Sequence, residues 1–177
     1  MTAINKSLLQ KRTERLLTEN QSTGNTLSYK DARNIGILFT QTDRGKYQAI
    51  RKMAKQFKND GKRVEVLCYL EKGGENYDFL YDYITSKDIN MWGKMQAPAA
   101  IKFAKINFDY LYYLDLEENI YLENVLAMSK ASCRIGFYKQ HNQGLLDLMV
   151  QVSVKSGFET AIDQIMFYTM KLGSNGD

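Results

Sequence analysis

Asn34-Ile-Gly-Ile-Leu-Phe-Thr40 and Arg63-Val-Glu-Val-Leu-Cys-Tyr-Leu70 flank a stretch in which Ile50, Met53, Ala54 and Phe57 recur on one helical face. The first run is apolar along most of its length, the pattern of a strand covered on both sides. The helical stripe closes at Asn59-Asp-Gly61, where a glycine can take the left-handed turn that ends a helix. Strand, helix and strand make a βαβ unit, whose crossover joins parallel neighbours and is right-handed almost without exception.

The same alternation continues downstream. Phe108-Asp-Tyr-Leu-Tyr-Tyr-Leu-Asp115 reads as a strand, Asn119–Lys130 as a helix, Cys133–Phe137 as a strand and Leu145–Val152 as an edge strand. Gly157 precedes a last helix with the stripe Ile162, Ile165, Met166, Thr169 and Met170. In between, Asp82–Thr85 is a short strand, Met91-Trp92-Gly93 a turn, and Pro98 opens a helix through Lys105. Upstream, Ile4, Leu8, Leu9, Leu16 and Leu17 mark an amphipathic N-terminal helix over residues 1–17, followed by a polar linker over 18–32. The expected fold is one α/β domain over 1–177, with its core at 33–172. That core is a doubly wound, mainly parallel Rossmann-like sheet, order about 3-2-1-4-5, with helices on both faces.

Composition narrows the function classes. With 44% apolar and 25% charged residues the chain is globular. No apolar run approaches the roughly 20 residues of a membrane span. The start carries no secretory pattern, so a cytoplasmic location is expected. Cys68 and Cys133 sit in apolar strand runs, as buried reduced thiols would. One histidine and no Cys-x-x-Cys leave no basis for a metal site. The net charge of +4 is uneven: residues 1–63 hold 14 Lys/Arg against 5 Asp/Glu. Such asymmetry fits a polyanion-binding face or complementary faces pairing in a homodimer. No nucleic-acid-binding motif is present, so nucleic acid is not an expected partner.

In an open parallel sheet a ligand crevice lies beyond the carboxyl ends of the strands, where the strand order reverses. The order above places that point between the strands ending at Thr40 and Asp115, so loops 41–46 and 115–119 face each other. In the first, Thr42 or Asp43 caps a helix flanked by Arg44 and Lys46, a setting that suits phosphate or carboxylate. Asp43 is a helix cap or a general base. No Gly-x-Gly-x-x-Gly and no phosphate-binding Gly-Lys-Ser/Thr loop occurs, and no cofactor is expected. In the second, Asp115, Glu117 and Glu118 suit a hard cation or proton transfer, or the glutamates simply favour a helix N-terminus. His141, in Lys139-Gln-His-Asn-Gln143, is a solvated loop residue or a general base. Two aromatic clusters, Tyr77–Phe79–Tyr81–Tyr83 and Tyr110–Tyr112–Tyr113, suit a sugar- or protein-binding surface or a core.

Ile35-Gly-Ile-Leu-Phe39, Asp43 before a helix, Phe108 through Asp115-Leu-x-x-Asn119, and Arg134-Ile-Gly-Phe137 together resemble the N-terminal, acceptor-side half of heptosyltransferases. These are two-domain glycosyltransferases of lipopolysaccharide synthesis, and the likeness spans residues 34–138. As a whole, the chain resembles a short bacterial α/β family that carries this half alone. The resemblance implies that Asp43 matches the family's catalytic aspartate, and that Asp115 and Asn119 belong to its acceptor-side loop. The pattern departs at Gln41-Thr42, where a small residue and glycine precede the aspartate in the family, and at Glu117-Glu118, where Gln/His-Gly stands. The donor-holding second domain has no counterpart in the 177 residues, and half a cleft cannot position donor against acceptor. The expectation is therefore a non-catalytic binding or interaction domain with a small sugar or phosphate ligand. The alternatives are a small transferase or hydrolase acting on a sugar or phosphorylated metabolite through Asp43 and Asp115, and a polyanion binder using residues 1–63.

Overall fold

The structure is a computed structural model that describes residues 3–21, 27–71, 74, 80–152 and 157–172, with side chains from residue 6. Six parallel strands form one sheet in the order β3-β2-β1-β4-β5-β6. They are β1 (Asn34–Gln41), β2 (Arg63–Leu70), β3 (Asp82–Ile84), β4 (Tyr110–Tyr113), β5 (Cys133–Phe137) and β6 (Leu148–Val150). The helices are α1 (Ala3–Glu19), α2 (Arg44–Asn59), α3 (Pro98–Ala104), α4 (Ile120–Met128) and α5 (Phe158–Met170). The expected Rossmann-like α/β fold is the observed one, and the edge strand expected within 145–152 is the outer, parallel β6.

Alternation along each strand divides the core in two. Ile35, Ile37, Phe39, Tyr110, Tyr112 and Ile135 point to the face covered by α2 and α5. Leu38, Leu67, Leu111 and Tyr113 point to the face covered by α3 and α4. Cys68 and Cys133 are buried on the first face, on β2 and β5, with two strands between them. Three strand spacings, about 14 Å, are too far for a disulfide. Burial pushes the Cys68 thiol up to about 12, which leaves it unreactive.

The helix ends follow the sequence signals. Asp43 caps α2 by accepting from the Lys46 amide at 2.9 Å. At the other end, Gly61 takes φ +76° and the Lys62 amide reaches back to the Phe57 carbonyl at 3.0 Å. Helix α4 is apolar almost all round because it is sandwiched. The sheet lies beneath it and α1 lies on top, where Leu9 is fully buried. Asn124 donates to Thr13 Oγ1 at 2.9 Å, and Asn20 to the Ala127 carbonyl at 3.0 Å, fixing that contact. The apolar side of α1 is thus covered within the chain and needs no second copy. Tyr110, Tyr112 and Tyr113 are core residues, Tyr81 packs at its border and Tyr83 is exposed. Tyr77, Phe79 and part of the 18–32 linker (22–26) lie outside the described residues. Among the described residues no helix is long and apolar enough to cross a membrane.

Candidate functional site

β1 and β4 are parallel neighbours in the register Ile35↔Tyr110 to Leu38↔Tyr113, so the chain leaves both at the same end of the sheet. There the two loops and the start of α5 enclose a cavity of ≈ 650 Å³. Of the candidates, Thr42, Asp43, Lys46, Asp115, Glu117, Glu118 and Asn119 line it, while Arg44 and His141 do not. Trp92 and α1 do not line it either.

The floor is a closed network. Asp115, only 3% exposed, accepts from the Thr40 amide at 2.9 Å and the Thr40 hydroxyl at 2.6 Å. Lys46 Nζ completes it as an ion pair, its side chain 10% exposed. Asn119 donates to Thr40 Oγ1 at 2.8 Å and caps α4 by accepting from the amides of Tyr121 and Leu122. Lys46 also lies 5.1 Å from the Phe158 ring centroid, which ties α5 to the pair. Both oxygens of Asp115 are therefore committed within the protein. Asp43 is committed as well: the Lys46 amide and the Thr42 hydroxyl (2.8 Å) hold its carboxyl below the ordinary range. A carboxylate so stabilised is a weak base.

The rim is open. Glu117 and Glu118 are exposed, and Glu71 joins them from the end of β2. At the opposite side, α5 starts at Gly157, φ +83°, with no side-chain cap. Three helix N-termini thus meet at the cavity, those of α2 and α4 capped by the side chains of Asp43 and Asn119 and that of α5 without a side-chain cap at Gly157. The positive end of the α5 dipole meets the cavity at Phe158–Thr160, where Glu159 is paired with Lys52 and Lys46 with Asp115, and the facing side carries Glu71, Glu117 and Glu118. Among the described residues no group of three or more His, Cys, Asp or Glu is placed to hold a metal ion, so the three carboxylates of loop 115–119 do not converge.

His141 is half-buried and faces two carboxylates. Its Nδ1 lies 3.3 Å from Glu118 and its Nε2 3.9 Å from Glu123, and Nε2 is buried without a hydrogen bond. These residues line a second cavity of ≈ 500 Å³ between α1, α4 and loop 139–145. Glu123 is pushed up from 4.5, chiefly by burial and then by the Glu118 charge, and the Tyr113 hydroxyl donates to it at 3.4 Å. A carboxyl whose folded value is raised stabilises the fold below its unfolded value, and that contribution is lost as pH rises through the folded one. E123Q, which cannot ionise, is therefore expected to melt a few degrees above wild type at about pH 8. The two should converge below 4.5. Melting curves across that range check it, and a constant difference would contradict the raised value.

The sequence reading misses three features: the start of α5, Glu71 and Glu123. The signal for the last was present, since the order 1-4-5 makes the loops after β4 and β5 neighbours. That adjacency brings Glu118 and Glu123 to His141. No local signal places α5 beside α2, because only the packing of its stripe on the sheet carries it there. No curated protein and no solved structure matches the chain. A family profile matches it over residues 5–172, nearly its whole length, and the chain belongs to that family, DUF6913, a family of unknown function.

Proposed function

We propose that the chain is a non-catalytic ligand-binding domain whose crevice takes a small polyhydroxylated molecule bearing an anionic group, of the sugar phosphate type. The observation that carries this reading is the contrast between floor and rim. Asp115, Lys46, Thr40 and Asn119 satisfy one another, so they shape the cavity and leave no free base for chemistry. The rim keeps its capacity: carboxylates of Glu117 and Glu118 accept from hydroxyls, and the α5 N-terminus, with no side-chain cap at Gly157, favours an anion.

The likeness to the acceptor-side half of heptosyltransferase-type enzymes, with the bacterial origin it implies, belongs to this proposal. It is supported by Asp115-Leu-x-x-Asn119 standing at the cavity and Arg134-Ile-Gly-Phe137 forming the adjacent β5. A homodimer belongs to it too, supported by exposed Leu80 and Tyr83 beside or on the outer strand β3.

A thermal-shift panel of monosaccharides, their phosphates and inorganic phosphate tests the ligand, with light scattering on the same samples for the dimer. Ligand at about 100 times its dissociation constant adds roughly 2.7 kcal/mol, a melting shift of several degrees. Sugar phosphates should give it, and E117Q/E118Q should abolish most of it. A flat response across the panel removes the ligand reading, and a monomer in scattering removes the dimer.

A further inference from the structure

Helix α2 carries Arg44, Lys46, Arg51, Lys52, Lys55 and Lys58 and not one acidic residue. All of these except Lys46 are exposed. Helix α1, by contrast, mixes Lys6, Lys11, Arg12 and Arg15 with Glu14 and Glu19, and it lies on the opposite face of the sheet. The basic character of residues 1–63 is therefore not one surface. Its single-signed part is the outer side of α2.

Beside it, on the same face of the sheet, runs α5, joined to α2 through the Lys52–Glu159 pair at 2.8 Å. Apart from that pair and nearby Asp163, α5 adds no acidic residue to this layer. It adds two bare aromatics instead. Phe167 and Tyr168 are each 52% exposed, and Lys171 Nζ sits 4.0 Å from the Phe167 ring centroid. Large exposed rings beside a single-signed row of cations are what a protein lying on an anionic bilayer presents. The rings enter the headgroup layer while the ammonium and guanidinium groups meet lipid phosphates.

We infer that the outer face of α2 and α5 docks peripherally on an anionic lipid surface. A second copy through this same face is disfavoured, because a two-fold contact sets the α2 charges against each other. Stacking on a nucleic acid strand fits less well, since adjacent helix positions diverge by about 100° and cannot present consecutive platforms to bases. This inference is independent of the crevice ligand.

Co-sedimentation with vesicles of phosphatidylcholine alone, and of phosphatidylcholine mixed equally with phosphatidylglycerol, tests it. The chain should pellet with the anionic vesicles only, and less as salt rises. Each lysine near the surface contributes roughly fivefold to partitioning, so K55Q/K58Q should weaken it about 25-fold. F167S/Y168S should weaken it as well while leaving the salt dependence unchanged. All four positions are exposed, and an unchanged melting temperature verifies that the variants fold. No pelleting with anionic vesicles at low salt, equal pelleting with both compositions, or retention of an oligonucleotide in place of vesicles would each overturn the inference.

Discussion

Replacing Asp115 with alanine is expected to cost about 3–5 kcal/mol of unfolding free energy, the range for removing one partner of a buried ion pair. Much of that cost falls on what remains. Lys46, its side chain 10% exposed, would be left in the floor with no carboxylate against it. The Thr40 amide and hydroxyl would lose their acceptor, and the Thr40 hydroxyl to which Asn119 donates would no longer be held in place. In a chain of this size the loss corresponds to a fall in melting temperature of roughly 10 °C. Denaturant unfolding of D115A, K46M and D115L/K46M reads it directly. The double variant should recover most of the loss, because an apolar pair of similar volume often matches a buried ion pair. A D115A variant within about 1 kcal/mol of wild type would mean that water reaches the pair freely, and the closed floor would have to be abandoned.

Gly93→Ala is the second large effect, and it acts at the opposite side of the molecule. Gly93 stands at φ +68°, and an added Cβ would lie 2.7 Å from the Leu9 nitrogen and 2.8 Å from the Leu8 carbonyl carbon. Both are backbone atoms of α1, so no side-chain rotation relieves the clash. A non-glycine residue held at such a φ costs of order 1–3 kcal/mol, and overpacking costs a similar amount. The combined expectation is about 2–4 kcal/mol, taken up by lifting α1 off the Met91–Gly93 turn. Since α4 presents apolar residues to α1 as well as to the sheet, a lifted α1 exposes them. Limited proteolysis should then cut G93A between α1 and β1 well before wild type. Equal cleavage rates in the two proteins would show that the helix does not depend on this contact.

How much of this was legible depended on the range of the interaction. The βαβ start could be read from residues 34–70 because the apolar run, the amphipathic stripe and Gly61 are local signals. From that start, handedness and parallel pairing constrain the sheet order. The order brings loops 41–46 and 115–119 together, so the crevice was legible without any catalytic motif. The Lys46–Asp115 pair was not, since both residues were visible but nothing local says which charge turns inward. The carboxylates facing His141, Glu118 and Glu123, are distant from it in sequence, and only the strand order makes them neighbours. The apolar stripe of α1 was legible as a face needing cover, but the cover proved to be α4, whose two-sided hydrophobicity gave the matching signal.

The most direct measurement is amide chemical-shift mapping of the intact chain with glucose 6-phosphate, with glucose and inorganic phosphate as controls. Saturable shifts confined to residues 42–46, 116–119 and 157–160, strongest with the sugar phosphate, are the expected result. Saturable shifts elsewhere, or none with any of the three at millimolar concentration, would contradict the assignment of the crevice as the ligand site.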